Sequence, residues 1–166
     1  MELAREGAIV PPSSPKDNAG VIAPAPVIYG AALALGLAAE FTLPTVPLPR
    51  PVTLWLGVLI IALSIPIVIS AFKALARART AFDARKPTSA LVRDGAFQYS
   101  RNPTYLSLTL LHVGLALVLA SPWVLLMVVP AVALTQWGVV LREERYLEAK
   151  FGEEYRRYKA NVRRWL

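Results

Sequence analysis

Residues 102–141 read NPTYLSLTLLHVGLALVLASPWVLLMVVPAVALTQWGVVL, 40 residues without one charged side chain. A bilayer core of roughly 30 Å is crossed by about 20 apolar residues in a helix. The stretch is twice that length, and Ser121-Pro122 falls near its middle. It therefore reads as two membrane-crossing helices, about 103–120 and 123–141, joined by a tight hairpin.

Upstream the pattern repeats. Pro51–Phe72 is charge-free between Arg50 and Lys73, and Ala19–Ala39 is charge-free up to Glu40. These runs predict two more spans, about 52–72 and 26–43, the first in the chain being Ala/Gly-rich and closed by Glu40 and Pro44. The expected fold is all-α: a polytopic membrane helical bundle of about four transmembrane helices with a cytoplasmic amphipathic C-terminal helix. A Pro/Ser-rich, near-neutral lead over residues 1–22 reads as disordered, and 23–166 as one domain.

The composition agrees. Of 166 residues, 55% are hydrophobic and 17% charged, against about 25% charged in ordinary soluble domains. Mean hydropathy is +0.47 while the net charge is +7. High hydropathy excludes a disordered chain. The positive charge needs no nucleic acid to explain it. Residues 1–25 hold 2 basic residues, the 73–102 loop 7 and the 142–166 tail 8, which is 17 of the 18, leaving Arg50 alone on the other side. That asymmetry places both termini and the loop in the cytoplasm, facing anionic lipid. There is no cysteine and a single histidine, so a disulfide framework, a thiolate nucleophile and Cys- or His-cluster metal sites are not expected.

In the tail, Leu147, Phe151, Tyr155, Tyr158, Val162 and Trp165 share one helical face, with Arg145, Lys150, Arg156, Arg157, Lys159 and Arg163 opposite. Such a helix can lie in the membrane interface, or pack its stripe on the 73–102 loop and close a pocket, and both can hold at once. Gly152 is a candidate break within it.

Two clusters carry candidate chemistry. The first precedes the third span: Tyr99-Ser-Arg101-Asn102-Pro103-Thr-Tyr105. Asn102 suits an N-cap and Pro103 the first helical position, which leaves Arg101, Tyr99 and Tyr105 without a capping explanation. Tyr105, Thr109 and His112 then share a face that should look into the bundle. A single interhelical hydrogen bond is the favoured role for His112. The second cluster is Arg142-Glu143-Glu144-Arg145 at the cytoplasmic end of the fourth span. Mixed charges at a helix end are ordinarily solvated, but a carboxylate at the membrane surface can also hold an ammonium or sulfonium.

Arg101-Asn102-Pro103-x-Tyr105, its Gly95-Ala-Phe-x-Tyr-Ser lead-in, and Glu143-Glu144-x-x-Leu147-x-x-x-Phe151-Gly152-Glu-Glu-Tyr155-x-x-Tyr158-x-x-x-Val162 together resemble the isoprenylcysteine carboxyl methyltransferase family, whose superfamily also contains phospholipid N-methyltransferases. The likeness covers roughly residues 73–166, and the two motifs in order are far more specific than either alone.

The resemblance implies an integral membrane methyltransferase using S-adenosylmethionine, with a pocket built from the loop before the third span and the segment after the fourth. Carried onto this chain, Arg101, Asn102, Pro103 and Tyr105 form one wall and Glu143, Glu144, Tyr155 and Tyr158 another. Arg101 is expected on the cofactor's carboxylate, Glu144 or Glu143 on its ammonium, and Tyr105 and Tyr99 around the methyl-transfer path. Arg101, Tyr105 and Glu144 are the expected catalytic residues. Asn102 stands where the family's commoner triplet has His, and Asn keeps a donor and an acceptor but does not titrate. The family's usual Gly-Pro-Tyr is here Gly95-Ala96-Phe97, and Arg163 replaces the Pro after the tail's Val.

The implied acceptor is a lipid-like or small apolar molecule bearing a carboxylate, amine or thiol, with membrane lipid as the other partner. The family's best-known eukaryotic members are longer, so the expected location is the plasma (inner) membrane of a prokaryote. Two other readings compete: a non-catalytic membrane scaffold or lipid-binding protein, and an NADPH-dependent reductase relative. No Gly-rich dinucleotide fingerprint is present. Gly30, Ala34 and Ala38, at four-residue spacing, can pack within or between chains, which leaves the oligomeric state open.

Overall fold

A computed structural model describes residues 17–46 and 48–166. Most of the lead expected over residues 1–22, namely 1–16, lies outside the described residues. Among the described residues every regular element is helical: α1 Ala25–Thr42, α2 Arg50–Arg77, α3 Pro103–Val118, α4 Pro122–Leu126, α5 Val128–Thr135, α6 Leu141–Phe151 and α7 Glu153–Asn161. A 3₁₀ turn covers Gly95–Gln98, and a π turn, Gln136–Val140, joins α5 to α6.

Helices α1 and α2 and the continuous helical run Pro122–Phe151 are each long and apolar enough to cross a membrane. Helix α3 is equally apolar but has 16 residues, ~24 Å at 1.5 Å per residue. The third span expected to reach 120 stops sooner for a local reason. Ala120 is left-handed, with φ 52°, and Ala120 N and Ser121 N turn back onto the carbonyls of Leu117 and Ala116, which closes the helix in a Schellman-type end. Ser121 then caps α4, its hydroxyl accepting from Val124 N at 3.2 Å, with Pro122 in the first turn. The expected hairpin sits on these residues.

The fourth span also ends elsewhere than the charge pattern suggests. Within the run, Pro130 has no N–H to offer the Leu126 carbonyl, and the ladder relaxes at Met127, between α4 and α5. Nothing then breaks the helix between Leu141 and Gly152, so it continues through Glu143 and Glu144 to Phe151. Gly152, at φ 53°, divides it from α7.

Packing follows membrane rather than soluble logic. Helix α2 turns Thr53, Gly57, Ser64, Ala71 and Ala74 inward and leaves Val52, Trp55, Leu59, Leu63 and Ile69 exposed. Small residues let the helix backbones meet, while lipid solvates the large apolar ones. Helices α2 and α3 approach closely, and a Cβ on Gly57 would lie 2.7 Å from the Gly114 carbonyl. On the other flank of α3, α1 packs against α4 and α5, with Gly36 seated on Val124 and Glu40 accepting from Ser121. This puts the 43–49 connection and the α3–α4 turn at one end of the bundle. The long connection after α2 and the C-terminal tail lie at the other, where the site forms.

Candidate functional site

Helix α3 begins at Asn102-Pro103, with Pro103 in its first turn. Asn102 occupies the N-cap position, but its side chain makes no capping bond. The amide is used by the tail instead: Nδ2 donates to the Arg164 carbonyl at 3.0 Å. Arg101 N donates to the Arg163 carbonyl at 3.0 Å, and the Ser100 hydroxyl also reaches the Arg164 carbonyl. The last residues of the chain are thereby stitched to the start of α3.

The tail's apolar stripe closes over this junction. Tyr155 and Tyr158 are buried, Tyr158 donates to the Phe97 carbonyl at 2.7 Å, and Trp165 Nε1 donates to Gln136 at 3.0 Å. Burial pushes the Tyr155 and Tyr158 hydroxyls above their ordinary pKa, keeping both neutral. The stripe thus packs on the 73–102 loop, the second of its two expected arrangements.

At the centre lies a buried ion network. Glu144 forms an ion pair with Arg101, Nη2 to Oε1 at 3.0 Å, and accepts hydrogen bonds from Arg164, whose Nε and Nη2 take its two oxygens at 2.9 and 2.8 Å. The Arg101 and Glu144 side chains are only 7% and 8% exposed. Arg101 Nε and Nη1 are buried with no partner among the described residues. Two unpaired guanidinium nitrogens in a low-dielectric wall are costly unless an anion or water meets them. Glu143, one step along the helix and so about 100° round it, receives the Tyr105 hydroxyl at 2.7 Å on Oε1.

These groups line a cavity of about 310 Å³, within the range of small-molecule sites. Arg101, Asn102, Pro103, Tyr105, Glu143, Glu144, Tyr155 and Tyr158, eight of the nine expected site residues, all face it. Tyr99 does not: it follows the 3₁₀ turn, is 76% exposed and is absent from the cavity wall. The reason is register, since Phe97 rather than Tyr99 takes the inward position.

Three contributors escaped the sequence pattern. Arg164 grips Glu144. Asp83, held near a pKa of about 2 by the Arg85 guanidinium, lines the wall with Arg85. Residues 19–26, ahead of and opening α1, also supply wall positions. An Arg in the tail was the one available signal for the first; nothing in the local pattern marked the others.

Beyond Tyr105, the polar stripe of α3 is spent inside the bundle. Thr109 donates to the Tyr105 carbonyl at 2.9 Å and receives the Tyr29 hydroxyl at 2.6 Å. His112 donates from Nε2 to the Val124 carbonyl at 3.1 Å and meets Tyr29 edge-on. His112 thus makes the interhelical hydrogen bond expected of it and does not reach the cavity.

A buried Arg–carboxylate pair and tyrosines around a cavity at one end of a membrane helix bundle form a candidate small-molecule site in a membrane protein. A family model described as phospholipid methyltransferase matches residues 52–154. The chain belongs to that family, and its class is that of a membrane methyltransferase. It is also similar to an uncharacterized protein of Haemophilus influenzae, with 47% identity over 62 residues, covering 37% of this chain and 98% of that one. No solved structure matches the chain.

Proposed function

We propose that the chain is an S-adenosylmethionine-dependent methyltransferase that binds the methyl donor in the Arg101–Glu143 cavity and methylates an apolar acceptor bearing a carboxylate, amine or thiol. The observation that carries this reading is Arg101, buried beside Glu144 with Nε and Nη1 unpaired. Either nitrogen suits the donor's carboxylate, as a charge-assisted bond.

The residues present fit the rest of that molecule. Glu144 is saturated by two arginines, so its role is to hold and orient Arg101. Glu143 spends one oxygen on Tyr105 and keeps the other, which suits an ammonium. Tyr155, Tyr158 and Phe97 offer aromatic surface for an adenine or a sulfonium. When bound, S-adenosylmethionine supplies a methyl group on a sulfonium, displaced in line with a neutral thioether leaving. No protein acid is needed for that departure, so Asn102 can stand where a titrating His is commoner. The chain's own contribution is to position the groups and exclude water.

The cationic side of the bundle carries the cavity, which supports a cytoplasmic site with both termini cytoplasmic, in the plasma membrane of a prokaryote. Membrane lipid is the surrounding partner, and lipid-soluble acceptors reach the site from it.

The test is binding of labelled S-adenosylmethionine to the full chain in lipid nanodiscs, followed by mass spectrometry of every labelled product formed with native lipid. The expected result is saturable binding, weakened by about tenfold or more in Arg101→Lys, which loses the planar guanidinium. Retention of NADPH instead would favour the reductase reading, and retention of neither would favour the scaffold reading.

A further inference from the structure

Residues 17–24, ahead of α1, are held by the helices they cross. Asp17–Pro24 runs as an irregular strap along α6 and the π turn, fastened at three heights. The Asp17 carboxylate receives Lys150 Nζ at 2.7 and 2.9 Å and the Tyr146 hydroxyl at 2.7 Å. The Gly20 carbonyl receives Arg142 Nη1 at 2.9 Å. Ile22 N donates to the Gly138 carbonyl of the π turn at 3.1 Å. Its side chain lies so close to Gly138 that a Cβ there would meet Ile22 Cδ1 at 2.2 Å. A fourth bond, Ala19 N to the Ala84 carbonyl at 3.3 Å, ties the strap to the segment after α2.

The strap alternates. Gly20 and Ile22 turn to the helix side, while Ala19, Val21, Ala23 and Pro24 line the cavity. These four are small and apolar. Every charged side chain of the lining (Asp83, Arg85, Arg101, Glu143 and Glu144) comes from another element. The strap also lies outside residues 52–154, the part shared with the family. The family region therefore supplies every charged side chain of the lining and apolar ones such as Leu91, Val92 and Leu147, while the N-terminal segment supplies apolar positions alone.

We infer that the strap is the acceptor wall: Val21 and Ala23 fix the width and apolar character of the group admitted beside the reacting atom, and the ties to Lys150, Arg142 and Gly138 hold them in register. The inference rests on the methyltransferase reading for which molecule is methylated, and it identifies the favoured acceptor as one with a hydrocarbon group next to its reacting group. A charged donor is served by the opposite wall. An alkyl chain finds on the strap a surface that needs no hydrogen bond from it, continuous with Leu75, Leu91, Val92 and Leu147 of the same lining.

The chain has no cysteine, so single cysteines report position cleanly. Val21→Cys and Ile22→Cys are made in the full chain in lipid nanodiscs and labelled with N-ethylmaleimide at pH 7. The expected result is labelling about tenfold slower at 21 than at 22 because of access, accelerated by Asp17→Ala. Octanoate and octylamine slow Val21→Cys further, and more than S-adenosylhomocysteine does. Ala23→Leu weakens that octyl protection by about tenfold, the scale of a pocket methylene, and leaves binding of labelled S-adenosylmethionine unchanged. Equal labelling at 21 and 22 overturns the strap wall. Protection by S-adenosylhomocysteine but not by the octyl probes overturns its assignment to the acceptor. Loss of the methyltransferase reading would show separately, as a wild-type chain that retains no labelled S-adenosylmethionine while octyl protection persists.

Discussion

Arg101 and Glu144 meet at 3.0 Å across the junction of α3 and α6, both side chains more than nine-tenths buried. Glu144 is the shared anion of two arginines, one from each side. An arrangement of this kind is sensitive to loss of either member, because a buried charge without its partner has no water to turn to. It also separates the two adjacent glutamates by function. One is consumed by structure and the other keeps an oxygen free.

The first prediction follows from that division. Glu144→Gln removes the anion that both arginines share, and is expected to lower stability by about 3 kcal/mol, the scale for breaking a buried pair. Glu143→Gln loses only the charge facing Tyr105 and the cavity. It is expected to keep the wild-type melting temperature and to weaken S-adenosylmethionine binding by about tenfold, or 1.4 kcal/mol. Thermal unfolding and isothermal titration on both variants check the contrast. Equal loss of stability in the two would contradict it.

Arg164 tests the tail. Its side chain is 36% exposed while Glu144 is 8% exposed, so water takes part of the load when it is removed. Arg164→Ala is expected to cost about 1–2 kcal/mol, below the full scale of a charge-assisted bond pair. Its backbone bonds to Asn102 and Ser100 survive the change. The visible consequence should be faster hydrogen exchange in α7 and the final residues, with α1 and α2 unaffected.

The tyrosines separate in the same way. Tyr105→Phe removes the hydroxyl that fixes Glu143 and is expected to reduce methyl transfer, with donor affinity falling by less than in Glu143→Gln. Tyr99→Ala alters an exposed ring and is expected to change neither. Paired kinetic and binding measurements on the two variants decide it, and a large effect of Tyr99→Ala would restore the role that its sequence position suggests.

These contrasts mark what the sequence could and could not reveal. The charge-free run 102–141 and the Ser121-Pro122 hairpin are local signals, and the bundle follows from them. Arg101 and the Glu143-Glu144 pair converge because each sits at the same end of a span, which charge placement alone dictates. Which glutamate stays free was not legible, because adjacent positions on a helix point about 100° apart and only the neighbours decide. The grip of Arg164 on Glu144 and the strap over the cavity depend on contacts between distant segments. Tyr99 turned outward because a 3₁₀ turn at Gly95–Gln98 sets its register, and no periodicity in that short loop announces it.

Glycines carry the packing prediction. Gly57→Ala would place a Cβ 2.7 Å from the Gly114 carbonyl and 2.8 Å from Val118 N. Both neighbours are backbone and cannot rotate away, so α2 and α3 must part, at about 1–3 kcal/mol by the overpacking scale. Gly30→Ala meets nothing within 4 Å, and a helix interior prefers Ala to Gly by about 1 kcal/mol. It is expected to be neutral or stabilising in a monomeric preparation. Melting temperatures of the two variants in the same detergent give the comparison. Destabilisation by Gly30→Ala would mean that this face of α1 is covered by something, which cross-linking of the variant and wild type would then identify.

His112 supplies the last test, because an intramembrane histidine invites a catalytic role that its surroundings do not support. Its Nε2 is bonded to the Val124 carbonyl, its ring meets Tyr29 edge-on at a centroid separation of 5.9 Å, and the cavity wall does not include it. His112→Leu removes an interhelical hydrogen bond, an effect of about 1 kcal/mol in membrane bundles. The expected outcome is a lower melting temperature with donor affinity preserved and methyl transfer per folded molecule within about twofold of wild type, since the site's first contacts are untouched. A loss of about a hundredfold in turnover at unchanged donor affinity is the scale of a general base. It would mean that His112 serves the reaction and that the cavity extends deeper between α1 and α3 than its lining residues indicate.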